Sequence, residues 1–552
     1  MRKLLLLLVL IISSHTIIFA QLWTVRYNGT GNGEDVLKAM VVDNAGNVYV
    51  TGSTYTGPGN YDYLTIKYNS SGALLWQVKY NGPPGGTDQA NAIFVDNNGN
   101  VYVTGSSYQL PFTTNQDIAT VKYNAQGVQQ WVARFDGIRQ RADNGTAIKA
   151  DASGNVYVTG WTTDMHGSYA RKDYITIKYN PAGVQQWAVQ YNGLGNKDDV
   201  PAGIGLDGLG NVYVAGTSYA GSVGVNDLLT VKYNSLGVQQ WEKRYDGAAG
   251  GYDYAGGMTV DNAGNVYVTG ASYETINQDY VTLKYNTGGT QLWKKTYNGP
   301  GNGYDIAHAI AVDNSGNVYV TGESQSAEYK TDYRTIKYNP SGVQQWTTSY
   351  DGTAKDNDGA NTIAVDGGGN VYITGYINGI IDNWNIASVK YSAAGARQWV
   401  KTYDGPGHKS DVGIAIGVDL NGNVYVGGTS AGSSSGSDFV MIKYGPSTTG
   451  SIAAAKQVEN PQGSAPGKFM LKNYPNPFKT STKIQFSIPA DGQVKLVIYD
   501  NLGKQLSTPV NGKLKAGSYE VQWEPGNLPA GNYFYRLSSG KFEDIVRMIL
   551  MK

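Results

Sequence analysis

The sequence predicts an all-β chain. Its main body is an eight-bladed β-propeller of four-stranded blades, the last closed by the N-terminal strand, and a small immunoglobulin-like β-sandwich follows. Three observations carry this reading. The phrase Asn-Val-Tyr-Val-Thr-Gly, with small changes, starts at Asn47, Asn100, Asn155, Asn211, Asn265, Asn317, Asn370 and Asn423. A tryptophan stands 24 residues before each, at Trp23, Trp76, Trp131, Trp187, Trp241, Trp293, Trp346 and Trp399. The composition is that of short strands joined by turns, with 73 Gly, 43 Tyr and only 16% charged residues among 552. A fixed period of this kind marks units that bury their faces by stacking on neighbours.

Residues 1–20 read as a signal peptide. Arg2 and Lys3 give the positive start, residues 4–12 an unbroken apolar run, and Ile18-Phe19-Ala20 a cleavage site that leaves Gln21 first. The run is short for a membrane span, and no later segment is long enough to be one. The predicted mature chain therefore has no transmembrane span.

Residues 21–446 form the propeller. In the first unit, one strand ends at Val42-Asp43 and turns through Asn44-Ala45-Gly46; the others cover residues 47–51, 63–68 and 74–80. Turn residues between each pair make an antiparallel meander. The mature chain begins with a lone fourth strand, Leu22-Trp23-Thr24-Val25-Arg26-Tyr27, and the array ends on a third strand at residues 439–444. Pairing the two closes the ring without an exposed edge, whereas a solenoid would need capping units. Sixteen residues after each Trp stand Ala39, Ala92, Ala147, Gly203, Gly257, Ala309, Thr362 and Ala415, small enough for an innermost strand. The Trp itself lies on the outer strand, where it fills the space between diverging blades.

Insertions fall only between the second and third strands, because each third-strand Tyr precedes its Trp by eight residues. These variable loops share a face with the connections between blades, and that face is the expected binding surface. It carries Asp35, Asp88, Asp143, Asp199, Asp253, Asp305, Asp358 and Asp411, each twelve residues after a Trp. Either each caps its Gly-rich connection, or the eight ring the channel mouth and attract a cation; capping is the economical reading. The same face holds aromatic residues suited to a glycan or a protein ligand: Tyr55, Tyr108, Tyr219 and Tyr273 at one matched position, with Trp161, Tyr376 and Trp384. Lys67 and Asp62 also recur through the blades and read as structural.

Residues 447–468 are rich in Ser, Thr, Gly, Pro and Ala, as in a linker. Strand-like runs at 482–488, 493–499, 518–523, 532–537 and 542–550 then form the sandwich of residues 469–552. Its opening, Asn473-Tyr474-Pro475-Asn476-Pro477-Phe478, resembles the start of the type A sorting domain of the type IX (Por) secretion system, as do Gly531 and Tyr533 in Leu528-Pro529-Ala530-Gly531-Asn532-Tyr533. The resemblance implies passage through the periplasm and outer membrane of a Bacteroidetes-type bacterium on that secretion machinery. It also implies release or attachment at the cell surface. The propeller units resemble the SBBP β-propeller repeat through Asp-x-x-Gly-Asn-Val-Tyr-Val-Thr-Gly; that resemblance implies a fold and no activity.

Composition excludes several chemistries. The net charge is zero without a basic stripe, so nucleic acid is not an expected partner. There is no cysteine, hence no disulfide, thiolate metal site or cysteine nucleophile. The histidines of the mature chain, His166, His308 and His408, have no assignable acid–base partner in the sequence. No cofactor, metal or catalytic residue is predicted. The expected role is a binding or adhesion module; the alternatives are a structural surface-layer component or, last, an enzyme of quinoprotein-like layout.

Overall fold

The computed structural model describes residues 19–551, apart from 84–85, 109–114, 138–139, 167–168, 221–224, 275, 380–382, 447–455, 458–469, 480, 502–504, 524, 526–527 and 541. Two compact units appear, one being Gln21–Tyr444 and the other including Gly445–Lys552.

The first unit is a ring of eight four-stranded antiparallel sheets. Blade 1 comprises Asp35–Val42, Val48–Gly57, Asn60–Tyr68 and Leu74–Tyr80. Blades 2 to 7 repeat this meander in chain order, and blade 8 pairs Asp411–Val418, Val424–Ala431 and Ser437–Pro446 with the N-terminal strand Phe19–Tyr27.

Local chemistry explains the repeated phrase. Asp43 accepts hydrogen bonds from the backbone of Ala45 and Asn47, from Asn47 Nδ2 and from Tyr49 Oη, at 2.8–3.2 Å. The turn closes on Gly46 at φ +77°, a left-handed conformation that favours glycine. One motif thus sets a turn and anchors a buried tyrosine.

The tryptophans join blades. Trp76 Nε1 and Lys67 Nζ both donate to the Ala125 carbonyl of blade 2, at 3.1 and 3.3 Å, and Lys67 lies 4.9 Å from the Tyr49 ring centre. Beside that carbonyl is Gly127, where a Cβ would sit 2.7 Å from the Trp76 indole. Ring closure repeats this joint with residues from opposite ends of the array: Trp23 Nε1 and Lys443 Nζ both donate to the Ser70 carbonyl, at 3.2 and 2.9 Å. Arg26 of the same strand binds Tyr403 Oη, Ser430, the Ala431 carbonyl and Asp438, the last at 2.7 Å. The innermost strands need small residues because they face each other closely; a Cβ on Gly203 would lie 2.7 Å from Met258 Cγ.

Two boundaries differ from the sequence reading. The second strand does not stop near Thr51: pairing continues through Thr54↔Asp62 and Tyr55↔Tyr61, so the hairpin is longer than its apolar run suggests. In the segment read as linker, Lys456 and Gln457 pair with Glu520 and Tyr519 of the sandwich. Each of the sandwich's two sheets is four-stranded. They share a core that includes Ile484, Phe486, Leu496, Val521, Trp523, Tyr535 and Met548.

Candidate functional site

The loop-bearing face is built where second strands end, third strands begin and connections enter the next blade. All eight first-strand aspartates, Asp35 to Asp411, are buried there. Each accepts the backbone N–H of the glycine six residues earlier, at 2.5–2.7 Å. In six blades the other oxygen takes a backbone N–H from the end of the second strand, as Asp35 does from Tyr55 and Asp358 from Asn378. Thr54 and Thr162 add hydroxyl donors to Asp35 and Asp143 at 2.6 Å. These oxygens cap the connections and face away from solvent.

Burial, opposed by those hydrogen bonds, pushes the carboxyls of Asp88, Asp143 and Asp358 up to about 6. Third-strand aspartates crowd the same places. Oxygens of Asp227, Asp246 and Asp253, and of Asp332, Asp351 and Asp358, lie within 4.8 Å of one another. Arg244 pairs with Asp227 at 3.3 Å, and Arg134 and Arg26 do the same for Asp117 and Asp438.

The matched tyrosines are strand residues, and all four are half-buried. Tyr55, Tyr108 and Tyr273 lie over the connections at Gly33, Gly86 and Gly251, where a Cβ would meet each side chain at 2.3–2.5 Å. Tyr219 lies under Lys197, whose Nζ is 4.1 Å from the ring centre, and half-buried Trp161 under Lys172 at 4.2 Å. These contacts cover the rings that the sequence offered as ligand stackers. Trp384 is the exception, at 44% exposed. It packs on half-buried Tyr376 with ring centres 4.7 Å apart and planes 31° apart. Tyr376 Oη donates to Glu323 Oε2 of blade 6 at 3.3 Å, and burial followed by Glu323 pushes the phenol up to about 12. His308 Nε2 stands 3.6 Å from Glu323 Oε1.

Sequence reasoning missed Glu323 and a set of exposed tyrosines. Tyr252, Tyr254, Tyr304 and Tyr329 all lie open to solvent on blades 5 and 6, Tyr252 and Tyr254 with ring planes 10° apart. Two of them immediately precede capping aspartates, a signal that was available. Of the other histidines, His408 Nδ1 sits 2.8 Å from Asp404, and the side chain of His166 lies outside the described residues.

In the second unit, the Asn473–Phe478 motif ties the first strand of the sandwich to the last. Asn473 Oδ1 accepts from Tyr535 Oη, Asn476 Oδ1 accepts from the Ile549 N–H, and Asn476 Nδ2 donates to the Arg547 carbonyl. Phe478 is buried against Trp523 and bonds through its backbone to Ile549 and Met551, while Tyr474 is exposed. The peptide bonds before Pro475 and Pro477 are cis. Tyr533 Oη donates to the Pro529 carbonyl, which links the ends of the Leu528–Tyr533 stretch.

The chain is therefore a β-propeller followed by a small β-sandwich. The family model of the secretion system C-terminal sorting domain matches residues 472–552, and that of the β-propeller repeat SBBP matches 78–110, 186–221, 243–276 and 294–330. The chain carries SBBP β-propeller repeats and a type IX sorting tail, which directs it to the cell surface or the medium and implies engagement of that secretion machinery. No curated protein matches. Among solved structures, a eukaryotic initiation factor is 9% identical with a TM-score of 0.33, covering 67% of this chain and 90% of its own. A putative gluconolactonase is 11% identical with a TM-score of 0.26, covering 49% and 84%.

Proposed function

We propose that the propeller is a non-catalytic binding or adhesion module that engages a glycan or a protein through its loop-bearing face, after export with residues 1–20 removed. One contrast supports this reading most. The opposite face is made of near-identical turns closed on their own aspartates, whereas length variation and the exposed aromatic rings gather on the loop face. A glycan and protein array probed with the full chain tests it. Binding that falls with loop-face substitutions such as Trp384→Ala, and not with Leu209→Ser on the turn face, is expected. A ligand insensitive to every loop-face substitution would refute it.

A structural surface-layer role is the second reading. Exposed aliphatic residues around the start of the outer strands, among them Leu74, Leu292 and Val343, favour it, since they leave apolar surface on the outer strands of several blades. For export, deletion of residues 469–552 should hold the protein in the periplasm; normal surface delivery of the truncated chain would overturn the role given to the tail.

A further inference from the structure

A ligand site on a repeat scaffold should be where the repeat breaks. Blade 6 comprises Asp305–Val312, Val318–Gln325, Thr331–Tyr338 and Gln344–Tyr350. Blade 7 comprises Gly359–Val365, Val371–Asn378, Trp384–Tyr391 and Arg397–Tyr403. At their junction four matched positions depart together. Glu323 stands where other blades have Ser53, Ser106 or Thr429, and His308 where they have Asn91, Thr146 or Gly256. Trp384 replaces Gln116, Asn226 or Thr331, and the other aromatic at this position is Tyr61 of blade 1. Gly359, opposite Tyr376, replaces Val36, Gln89 or Ile306. That glycine is steric in purpose, since a Cβ there would lie 2.7 Å from the Tyr376 ring. Its absence lets the phenol lie across the strand and reach Glu323.

We propose that this junction is a subsite for a neutral pyranose, with Trp384, backed by Tyr376, as the stacking platform and Glu323 as the acceptor for its hydroxyls. The proposal deepens the loop-face reading and rests on it. A pyranose has an apolar C–H face and a rim of hydroxyl donors, so it needs a flat aromatic surface beside a carboxylate. Both are present. Trp384 stacks on Tyr376 at 4.7 Å with the planes 31° apart, so the exposed indole offers one flat face and not the perpendicular walls that enclose an ammonium group. Glu323 keeps acceptor capacity: Oε1 has His308 at 3.6 Å, beyond hydrogen-bond reach, and Oε2 holds one long bond at 3.3 Å. The carboxylates of Glu323, Asp356 and Asp358 outnumber the cation paired with them, Lys330 at 2.7 Å from Asp356, and so disfavour an anionic sugar. Asn378, paired across the hairpin with Trp384, holds Asp356 at 3.0 Å through Nδ2 and Asp358 at 2.9 Å through its backbone.

The test uses the full chain on an array of neutral hexose and N-acetylhexosamine tri- and tetrasaccharides, with calorimetry on the strongest. Trp384→Ala should weaken binding at least about ten-fold, Glu323→Gln about three- to ten-fold, and Gly359→Val by a comparable amount through the displaced ring. Trp161→Ala, on blade 3, should leave it within about two-fold. Thermal melting of Glu323→Gln should match the parent, since the change keeps shape, and Trp384→Ala should keep one cooperative transition at a slightly lower temperature. Undiminished binding by both variants overturns the subsite; if Trp161→Ala then abolishes binding, the loop face stands and only this location falls. Binding of anionic glycans or choline but no neutral saccharide overturns the ligand class, and no saccharide binding at all overturns the proposal. A ligand insensitive to every loop-face variant removes the broader reading as well.

Discussion

Each face of the propeller carries an aspartate repeated eight times, yet the two sets are held in opposite ways. On the turn face, Asp366 accepts from Gly368 N, Asn370 N, Asn370 Nδ2 and Tyr372 Oη, all within one hairpin. Burial is the largest single influence on it and pushes its carboxyl up, but these donors together outweigh burial, and Asp207, Asp261, Asp313 and Asp366 all titrate below the ordinary range. On the loop face the aspartates lie deeper, have fewer donors and have other carboxylates as neighbours, so burial wins and they titrate high. The turn face is optimised locally and identically in each blade. The loop face holds connections in place at an electrostatic cost, which is consistent with a surface that serves something besides stability.

The largest effect that would sharpen this contrast lies at ring closure. Arg26→Ala removes the hydrogen bonds that fix the N-terminal strand to blade 8 and strands the buried carboxylate of Asp438. Breaking such a pair from one side typically costs about 3–5 kcal/mol. A denaturant midpoint within error of the parent would show that the strand is held by Trp23 and its own ladder alone. Next comes a direct comparison of the two aspartate sets. Asp143→Ala leaves two backbone N–H groups and the Thr162 hydroxyl without a buried acceptor, a loss of about 2–3 kcal/mol. Asp366→Ala frees donors that water reaches more easily, and about 1–2 kcal/mol is expected. Equal losses in chemical denaturation would erase the distinction of depth.

Much of this was legible in the sequence because it is local or periodic. The Asp-x-x-Gly-Asn turn and the orphan strand at Trp23 both follow from spacing. What was not legible depends on contacts between blades. Tyr55 reads as a loop aromatic, and its approach to Gly31 and Gly33, more than 20 residues earlier, covers it. Glu323 and Tyr376 are 53 residues apart, one repeat, so they occupy the same position in consecutive blades. Read blade by blade they are unrelated; they meet because Glu323 points forward and Tyr376 points back across the space left by Gly359.

The contrast between faces also sets a pH dependence. A carboxyl at about 6 when folded, against an ordinary 3.8, binds more protons folded than unfolded between those values. Its contribution is therefore greatest below about pH 4 and declines as pH rises toward 6. The turn-face carboxyls have the reverse sign: their contribution is present above about pH 4 and is lost as pH falls through their depressed folded values. Melting temperature should peak near pH 4–5 and fall on both sides. Asp279, raised to about 6 by burial and then by Asp305 and Glu274, supplies a single-site check. Asp279→Asn should raise the melting temperature at pH 7 and not at pH 4, and a decrease at pH 7 would contradict the charge crowding assigned to this face.

The smallest expected change in stability is also the one that best separates the faces by role. Leu209 on the turn face is 84% exposed and Trp384 on the loop face 44% exposed. Leu209→Ser removes an aliphatic group already in water, and Trp384→Ala removes a ring whose packing is confined mainly to Tyr376. Leu209→Ser should alter unfolding free energy by no more than about 0.5 kcal/mol, the scale of surface substitutions away from caps and cores, and Trp384→Ala by about 0.5–1.5 kcal/mol, the scale of a lost aromatic pair. Their effects on saccharide binding should differ at least about ten-fold, because only one of the two positions lies beside an open carboxylate. If both variants fold cooperatively and bind like the parent, the aromatic exposure at blade 7 is ornamental and the asymmetry between the faces is one of electrostatics alone.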